Sequence, residues 1–170
     1  MDKYTIEINE SNRYCLSDDC FEIGCVIKNG ERFVPILNKG EDIKNGYSMA
    51  ITYNGEELLI HMDKTYKGLL YNNIDIVKPL IFHEIGHFEN GDFYNDPVPS
   101  ELRAAMLEMG QVMPRELAAD KFAAKIVGKE SLIKSLRYLL DLRKKGSSVI
   151  MDYSQLANIK ELELRIKNLK

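Results

Sequence analysis

The segment His83-Glu84-Ile85-Gly86-His87 contains two of the three histidines in the chain. Residues i and i+4 lie on one face of an α-helix, so both imidazoles can bind one metal ion at Zn–N distances of about 2.0–2.1 Å. Glu84 directly follows the first histidine, which places its carboxylate beside the metal, where it can take a proton from water. The H-E-x-x-H segment therefore predicts a zinc site with two histidine ligands and Glu84 as the general base.

A catalytic zinc ion usually has three protein ligands, so one further ligand is expected. The metzincin pattern H-E-x-x-H-x-x-G-x-x-H is excluded, because positions 90 and 93 are Asn and Phe. His61 lies on a predicted strand and is one alternative. Glu116 is the better candidate, since Glu116 and Asp120 lie one turn apart on one helical face. There, one carboxylate can bind the metal while the other accepts a hydrogen bond from a ligating histidine.

Small or apolar residues surround these two carboxylates: Ala118, Ala119, Phe122, Ala123 and Ala124. A solvated acidic face would be the ordinary interpretation of the pair Glu116 and Asp120. The surrounding residues instead favour a helix that packs closely against the helix carrying His83 and His87. We therefore expect the two helices to contact each other at the metal.

The combination of H-E-x-x-H with E-x-x-A-D-x-F-A-A at 116–124 resembles the gluzincin metallopeptidases, and most closely the ImmA/IrrE-type metallo-endopeptidases. The likeness covers about Asp75 to Val127. It implies one zinc ion per chain, with the following residues in the site: His83, His87 and Glu116 as ligands, Glu84 as general base, and Asp120 as the carboxylate that holds a ligating histidine.

The resemblance also implies limited proteolysis of a protein or peptide substrate, often a transcriptional repressor. Ala118 stands where members of the family typically have a second glutamate. Gluzincin substrates commonly add as a strand to the sheet edge beside the metal-binding helix, and Glu57–Met62 is the candidate edge. The sequence does not choose among the candidate oxyanion donors, which are Tyr94, Tyr138, Tyr153 and His61.

Two other functions remain open from the sequence. A zinc-stabilised, non-catalytic binding or regulatory protein, such as one of a mobile element or phage, would use the cleft for recognition alone. Glu84 argues against it, because a structural zinc needs no base and usually has a fourth protein ligand. An interaction module could also act through the C-terminal helices, since 129–170 hold 10 basic and 5 acidic residues while 1–128 hold 13 and 21.

Strand patterns fill the first part of the chain, from residue 1 to about 73. Apolar and polar residues alternate over Lys3–Asn9. Two hairpins are predicted: Phe21–Lys28 with Arg32–Leu37 across Asn29-Gly30, and Tyr47–Tyr53 with Glu57–Met62 across Asn54-Gly55.

Helical spacing begins near residue 74. The metal-binding helix is predicted to start between Asp75 and Pro79, because proline fits only the first turn, and to stop at Asn90-Gly91. The later predicted helices are Glu101–Met109 capped by Ser100, Arg115–Val127 between Pro114 and Gly128, Ser131–Lys145 closed by Gly146, and Ser154–Leu169. The last helix carries an apolar stripe that predicts a packing face: Leu156, Ile159, Leu162, Ile166 and Leu169.

Strands followed by helices predict an α+β fold, with the helices on one side of a mostly antiparallel sheet. A length of 170 residues predicts one metallopeptidase domain: strands in 1–73, zinc-site helices in 74–128 and basic helices in 129–170. The net charge of -3 disfavours direct binding of nucleic acid through bulk charge. We predict a cytoplasmic protein without membrane partners, because no signal peptide or 18-residue apolar run is present. Cys15, Cys20 and Cys25 are predicted to be reduced and structural, and the oligomeric state is left open.

Overall fold

The computed structural model describes residues 4–11, 22–28, 35–39, 49–53, 58–62, 66, 69, 72–92, 98–145 and 153–170. Contacts within the chain define two units, residues 1–74 and 75–170. All five strands lie in the first unit and the second unit is helical, so the α+β class predicted from the residue pattern is confirmed. The organisation into a single domain stays a prediction.

Five strands form one sheet in the order β1-β2-β3-β5-β4. Their bounds are β1 Tyr4–Ser11, β2 Glu22–Lys28, β3 Pro35–Lys39, β4 Met49–Tyr53 and β5 Leu58–Met62. Neighbouring strands are antiparallel except β3 and β5, which are parallel. Both predicted antiparallel pairings, β2 with β3 and β4 with β5, are confirmed. The Asn29-Gly30 and Asn54-Gly55 turns lie outside the described residues.

The prediction that Glu57–Met62 forms an edge of the sheet is wrong. Strand β5 pairs with β3 on one side and with β4 on the other, so its backbone groups are already used in the sheet. Its alternate side chains Leu58, Ile60 and Met62 are almost completely buried. An apolar strand of this kind suits an inner position, because it can cover a core face while both backbone edges are paired.

Five helices occur among the described residues: α1 Ile74–Glu89, α2 Ser100–Glu108, α3 Pro114–Val127, α4 Lys129–Lys145 and α5 Tyr153–Leu169. Each lies where helical spacing predicts one. Pro114 occupies the start of α3, and Gly128 ends it at a φ of 89°, as predicted. Ser100 is not a cap, because Pro99 takes the N-cap position and its carbonyl accepts the first helical hydrogen bonds.

Helix α1 begins one residue earlier than predicted, so Pro79 is the sixth helical residue. Proline has no N–H, so the carbonyl of Asp75 receives no helical hydrogen bond from that position. Pro79 is buried, so its ring contributes packing that offsets this loss. At the other end, the Gly91 N–H donates to the Phe88 carbonyl at 3.0 Å, and Gly91 has a φ of 76°, as the predicted stop requires.

Helix α5 packs against the other helices of the second unit, with contacts to α2, α3 and α4. Leu164 forms a buried cluster with Leu107 and Val112, and Leu117 and Ala157 pack against it. Leu162 and Ile166 of the predicted packing stripe are buried, whereas Leu156 is exposed. The C-terminal helix is therefore held in the helical unit by its own apolar side chains.

Among the helices of the described ranges, none is both long and apolar enough to span a membrane. Cys15 and Cys20 lie outside the described residues. Cys25 is paired with Glu7 in the β1–β2 ladder.

Candidate metal site

Helix α1 places His83 and His87 on the same face, as their spacing predicts. The ring centroids are 4.8 Å apart with the rings perpendicular, and the two Nε2 atoms are 3.2 Å apart. His83 is buried and His87 is partly buried. The Nε2 atoms of both rings therefore point to the same place.

Helix α3 brings Glu116 to that point. Its Oε2 atom lies 3.2 Å from Nε2 of His83, and its Oε1 atom lies 3.6 Å from Nε2 of His87. The three residues form a group whose potential ligand atoms all lie within 4.8 Å of one another. We call His83, His87 and Glu116 the three-ligand cluster.

Close contact between α1 and α3 makes this arrangement possible. A Cβ atom on Gly86 would lie 3.0 Å from the Cα of Ala119 and 3.2 Å from the Cβ of Phe122. The predicted close packing of the two helices is therefore confirmed. Ala118, which the sequence placed in the same apolar surround, is exposed, because it lies two positions from Glu116 and thus on the opposite side of α3.

Asp120 holds His83 from the side opposite the three-ligand cluster. Its Oδ1 atom lies 2.8 Å from Nδ1 of His83. Arg165 of α5 donates to the same carboxylate through two nitrogens, Nε to Oδ2 at 2.8 Å and Nη2 to Oδ1 at 2.6 Å. The Nη2 atom is also 3.1 Å from Nδ1 of His83. The two nitrogens lie close together because both donate to Oδ1 of Asp120.

Asp92 holds His87 in the same way. Its Oδ2 atom lies 2.7 Å from Nδ1 of His87. Asp92 directly follows Gly91, whose positive φ turns the chain after α1. The same turn therefore brings the Asp92 carboxylate to His87. Each histidine of the cluster therefore has its own carboxylate partner.

Asp120 and Asp92 determine which ring nitrogen of each histidine remains available to a metal ion. An ionised carboxylate only accepts hydrogen bonds, so the Nδ1 atoms of His83 and His87 carry the protons. In a neutral imidazole, Nε2 is then an unprotonated acceptor with its lone pair available. The pattern matches the carboxylate–histidine pairs that orient metal ligands and increase their basicity.

The separations of the three donor atoms fit a metal ion. In a tetrahedral site with bonds of about 2.0–2.1 Å, neighbouring ligand atoms are about 3.3 Å apart. The separations in the structure are 3.2, 3.2 and 3.6 Å. A metal ion at this point would take the place of the protons that the imidazoles otherwise hold towards Glu116. The three-ligand cluster can thus hold a metal ion.

The charges around the cluster change the proton affinity of its members. Burial and the nearby charge of Arg165 lower the pKa of His83. Hydrogen bonds to Asp120 and Glu116 outweigh both effects and raise it to about 9. Burial also lowers the pKa of His87, but hydrogen bonds to Glu116 and Asp92 raise it overall.

The carboxyl groups respond in opposite directions. Burial raises the pKa of Glu116, but hydrogen bonds from the two histidines hold it far below its usual range. Burial likewise raises the pKa of Asp120, and Arg165 lowers it by more. Glu84 differs, because burial dominates there and raises its pKa. In the absence of a metal ion, the site therefore contains ionised Glu116 and Asp120 beside a carboxyl that binds protons more readily.

His61 is engaged within the sheet. Its Nε2 atom lies 2.8 Å from Oγ1 of Thr52 on the neighbouring strand, and burial lowers its pKa. Among the described residues, the group able to hold a metal consists of His83, His87 and Glu116, so His61 is not its third member. Of the other proposed oxyanion donors, Tyr94 lies outside the described residues, Tyr138 is on α4 and Tyr153 is the first residue of α5.

Sequence reasoning missed Arg165 and Asp92. Arg165 lies three residues after Leu162 and four before Leu169, so it falls on the apolar stripe of α5, where a charge is unusual. That signal was available in the sequence. Nothing in the local pattern marks Asp92, because its pairing with His87 depends on how the chain turns after α1.

Comparisons of this chain with protein-family models, curated proteins and solved structures found no match.

Proposed function

We propose that this chain is a zinc-dependent endopeptidase that cleaves a protein substrate at a limited number of sites. The observation that carries the proposal is the convergence of the three-ligand cluster on one point, with Glu84 next to the first ligand on the same helix. The described residues provide three ligands, which is typical of catalytic zinc sites, whereas structural sites usually have four protein ligands. The resemblance to gluzincins supports the same conclusion.

Zinc is the proposed metal because of the donor set. Two imidazole nitrogens and one carboxylate oxygen form the ligand set of the His₂Glu class of zinc hydrolases. Calcium and magnesium prefer sites made of oxygen atoms. Zinc bound there would supply Lewis-acid chemistry, making a water molecule more acidic and polarising a substrate carbonyl.

Glu84 is proposed to take the proton from the attacking water and to pass it to the leaving amine. Burial raises the pKa of its carboxyl, which brings it closer to neutral pH. A base is most efficient when its pKa lies near the working pH, because it then both accepts and releases the proton readily. The environment of Glu84 therefore suits a group that must do both in one reaction cycle.

The remaining polar residues fix the ligands. Asp120 and Asp92 accept from the Nδ1 atoms, so each Nε2 faces the cluster, where it would bind the metal ion in place of a proton. In the metal-free protein, hydrogen bonds from the two histidines hold Glu116 in its ionised form. These contacts prepare the site before substrate arrives, which lowers the cost of reorganisation during the reaction.

The test combines metal content with cleavage. Purified wild-type protein, never exposed to chelators, is expected to contain one zinc ion per chain. A proteome-wide search for new N-termini is expected to find cleavage sites with the wild type that are lost with Glu84→Gln. Glu84→Gln should still bind zinc, because Glu84 is not a ligand.

The matched control is Glu89→Gln, the same change at an exposed position of α1. It is expected to cleave the same sites as the wild type. Zinc binding without any cleavage by the wild type would support the alternative, a zinc-stabilised binding or regulatory protein. A Glu84→Gln protein that still cleaves would remove the general base from the proposal.

A further inference from the structure

We infer that Arg165 of the C-terminal helix is a positioning residue of the metal site, acting through Asp120 on His83. The inference rests on the proposed metal-binding function and extends it to a helix outside the H-E-x-x-H and Glu116 segments. It is carried by the contacts of three buried side chains from three different helices.

The guanidinium of Arg165 holds both oxygens of Asp120 at once. Nε donates to Oδ2 at 2.8 Å and Nη2 donates to Oδ1 at 2.6 Å. Such a two-point contact fixes the plane of the carboxylate as well as its position. Because Oδ1 also accepts from Nδ1 of His83, the orientation of the arginine is passed on to the imidazole.

Burial makes the arginine necessary. His83, Asp120 and Arg165 are only 5%, 1% and 8% exposed, so water does not solvate the carboxylate to any large extent. An unpaired carboxylate in such surroundings would move towards solvent. That movement would alter the hydrogen bond to Nδ1 of His83, which orients the imidazole so that Nε2 faces the metal position.

The backbone of Arg165 is itself held in place. Its neighbours Leu164 and Ile166 are buried, and Leu164 packs with Leu107 and Val112. The buried side chains on either side of Arg165 therefore fix the helix at this position, as a residue that positions a ligand requires.

One consequence concerns the C-terminal helix as a whole. The sequence allowed a separate interaction module in the basic C-terminal helices, whose removal would leave the zinc site intact. Because α5 supplies Arg165, its removal would instead leave Asp120 as a buried carboxylate without this partner. The helix is thus part of the metal site.

The first test compares two arginines. Zinc affinity is measured by competition with a chromophoric chelator for Arg165→Met and for Arg103→Met. Arg103 has the same chemistry and also contacts α5, but its hydrogen bonds go to residues outside the metal site. Arg165→Met is expected to weaken zinc binding by about 10–100-fold, the usual effect of losing a residue that supports a ligand. Arg103→Met should bind zinc like the wild type, and equal affinities for all three proteins would overturn the inference.

The second test asks whether Arg165 acts through Asp120. In Asp120→Asn, most of the influence of the arginine should already be lost, so adding Arg165→Met should weaken zinc binding little further. The double variant also removes both buried charges together, so it is expected to fold even if Arg165→Met alone does not. Losses of affinity that multiply, one for each substitution, would show that Arg165 does not act through Asp120.

Visible spectra of the cobalt-substituted protein report on the geometry of the metal site and do not depend on the stability of the fold. The visible bands of bound cobalt are expected to shift in Arg165→Met, partly return in Arg165→Lys, and stay unchanged in Arg103→Met. A wild-type protein that binds no metal would overturn both this inference and the proposed function. Metal binding that depends on Arg165 without any peptide cleavage would overturn the proposed endopeptidase alone.

Discussion

Gly86 of α1 lies so close to Ala119 of α3 that a Cβ atom on Gly86 would be 3.0 Å from the Cα of Ala119 and 3.1 Å from its carbonyl oxygen. Both of these neighbours are backbone atoms, so they cannot move aside by a side-chain rotation. Along α1, Gly86 lies between His83 and His87, and along α3, Ala119 lies between Glu116 and Asp120. The contact therefore determines how near the two sets of ligands come to each other.

Gly86→Ala is expected to separate α1 from α3 and to weaken metal binding. The added methyl group should lower the free energy of unfolding by about 1–3 kcal/mol, as is usual when a packed interior is overfilled. Zinc affinity should fall as well, because Glu116 moves with α3. Urea unfolding and chelator competition measure the two effects.

The control for this change is Gly110→Ala. Nothing lies within 4 Å of a Cβ at that position, but its φ of +76° strains any other residue, at a cost of about 1–2 kcal/mol. The control should therefore lose stability while keeping its zinc affinity. If Gly86→Ala also kept the affinity of the wild type, the contact would have no influence on the ligands.

Glu116→Gln is expected to weaken zinc binding more than Asp120→Asn does. Glutamine keeps the shape of the side chain but lacks the negative charge that faces both histidine Nε2 atoms. Loss of a supporting residue such as Asp120 typically costs about 10–100-fold in affinity, and loss of a ligand should exceed that range. Chelator competition measures both, with Glu108→Gln on α2 as the control. The reverse order would show that Glu116 is not a ligand.

The grouping of His83, His87 and Glu116 could be predicted from the sequence in part because residue spacing follows helix geometry. The spacing of His83 and His87 places them on one face of any helix, and Glu116 and Asp120 obey the same rule on α3. Small residues around Glu116 also indicated the close packing now seen at Gly86. These are local patterns, and folding preserves them.

Relationships between distant segments could not be predicted in the same way. The edge of the sheet depends on which strand inserts between which neighbours, and β5 lies between β3 and β4 although it follows β4 in the chain. Pro79 breaks a local rule because packing of α1 outweighs one lost hydrogen bond. Arg165 reaches Asp120 across 45 positions, and only the packing of α5 brings them together.

Asp92→Ala is expected to weaken zinc binding by about 10–100-fold, because His87 loses the acceptor that fixes its Nδ1 proton. The zinc affinity of Asp92→Asn should lie between those of Asp92→Ala and the wild type, since the uncharged amide oxygen can still accept that hydrogen bond. Chelator competition measures all three proteins. Asp75→Ala at the exposed start of α1 is the control. Wild-type affinity in Asp92→Ala would mean that His87 needs no such support.

Zinc affinity is expected to rise with pH between pH 7 and 9, which is above the range expected for histidines with an ordinary pKa. In the metal-free protein the pKa of His83 is raised to about 9, and the pKa of His87 is raised as well. Zinc binds only the unprotonated ring, so below pH 9 it must displace a proton from His83. Affinity should therefore increase by up to about tenfold per pH unit for each proton displaced between pH 7 and 9. A histidine with its ordinary pKa of 6.5 would give little change over that range.

Stability of the metal-free protein should change with pH in the opposite direction. The pKa of His83 is higher in the folded protein than in the unfolded chain, so the folded state binds more protons between the two values. The resulting stabilisation is fully present below pH 6.5 and is lost as the pH rises through about 9. Urea unfolding at pH 6 and pH 9, with zinc and with chelator, tests both signs. His61→Gln should leave the sign of both trends unchanged, because burial lowers rather than raises the pKa of His61. A zinc affinity that stayed constant from pH 7 to 9 would contradict the displacement of a proton from His83.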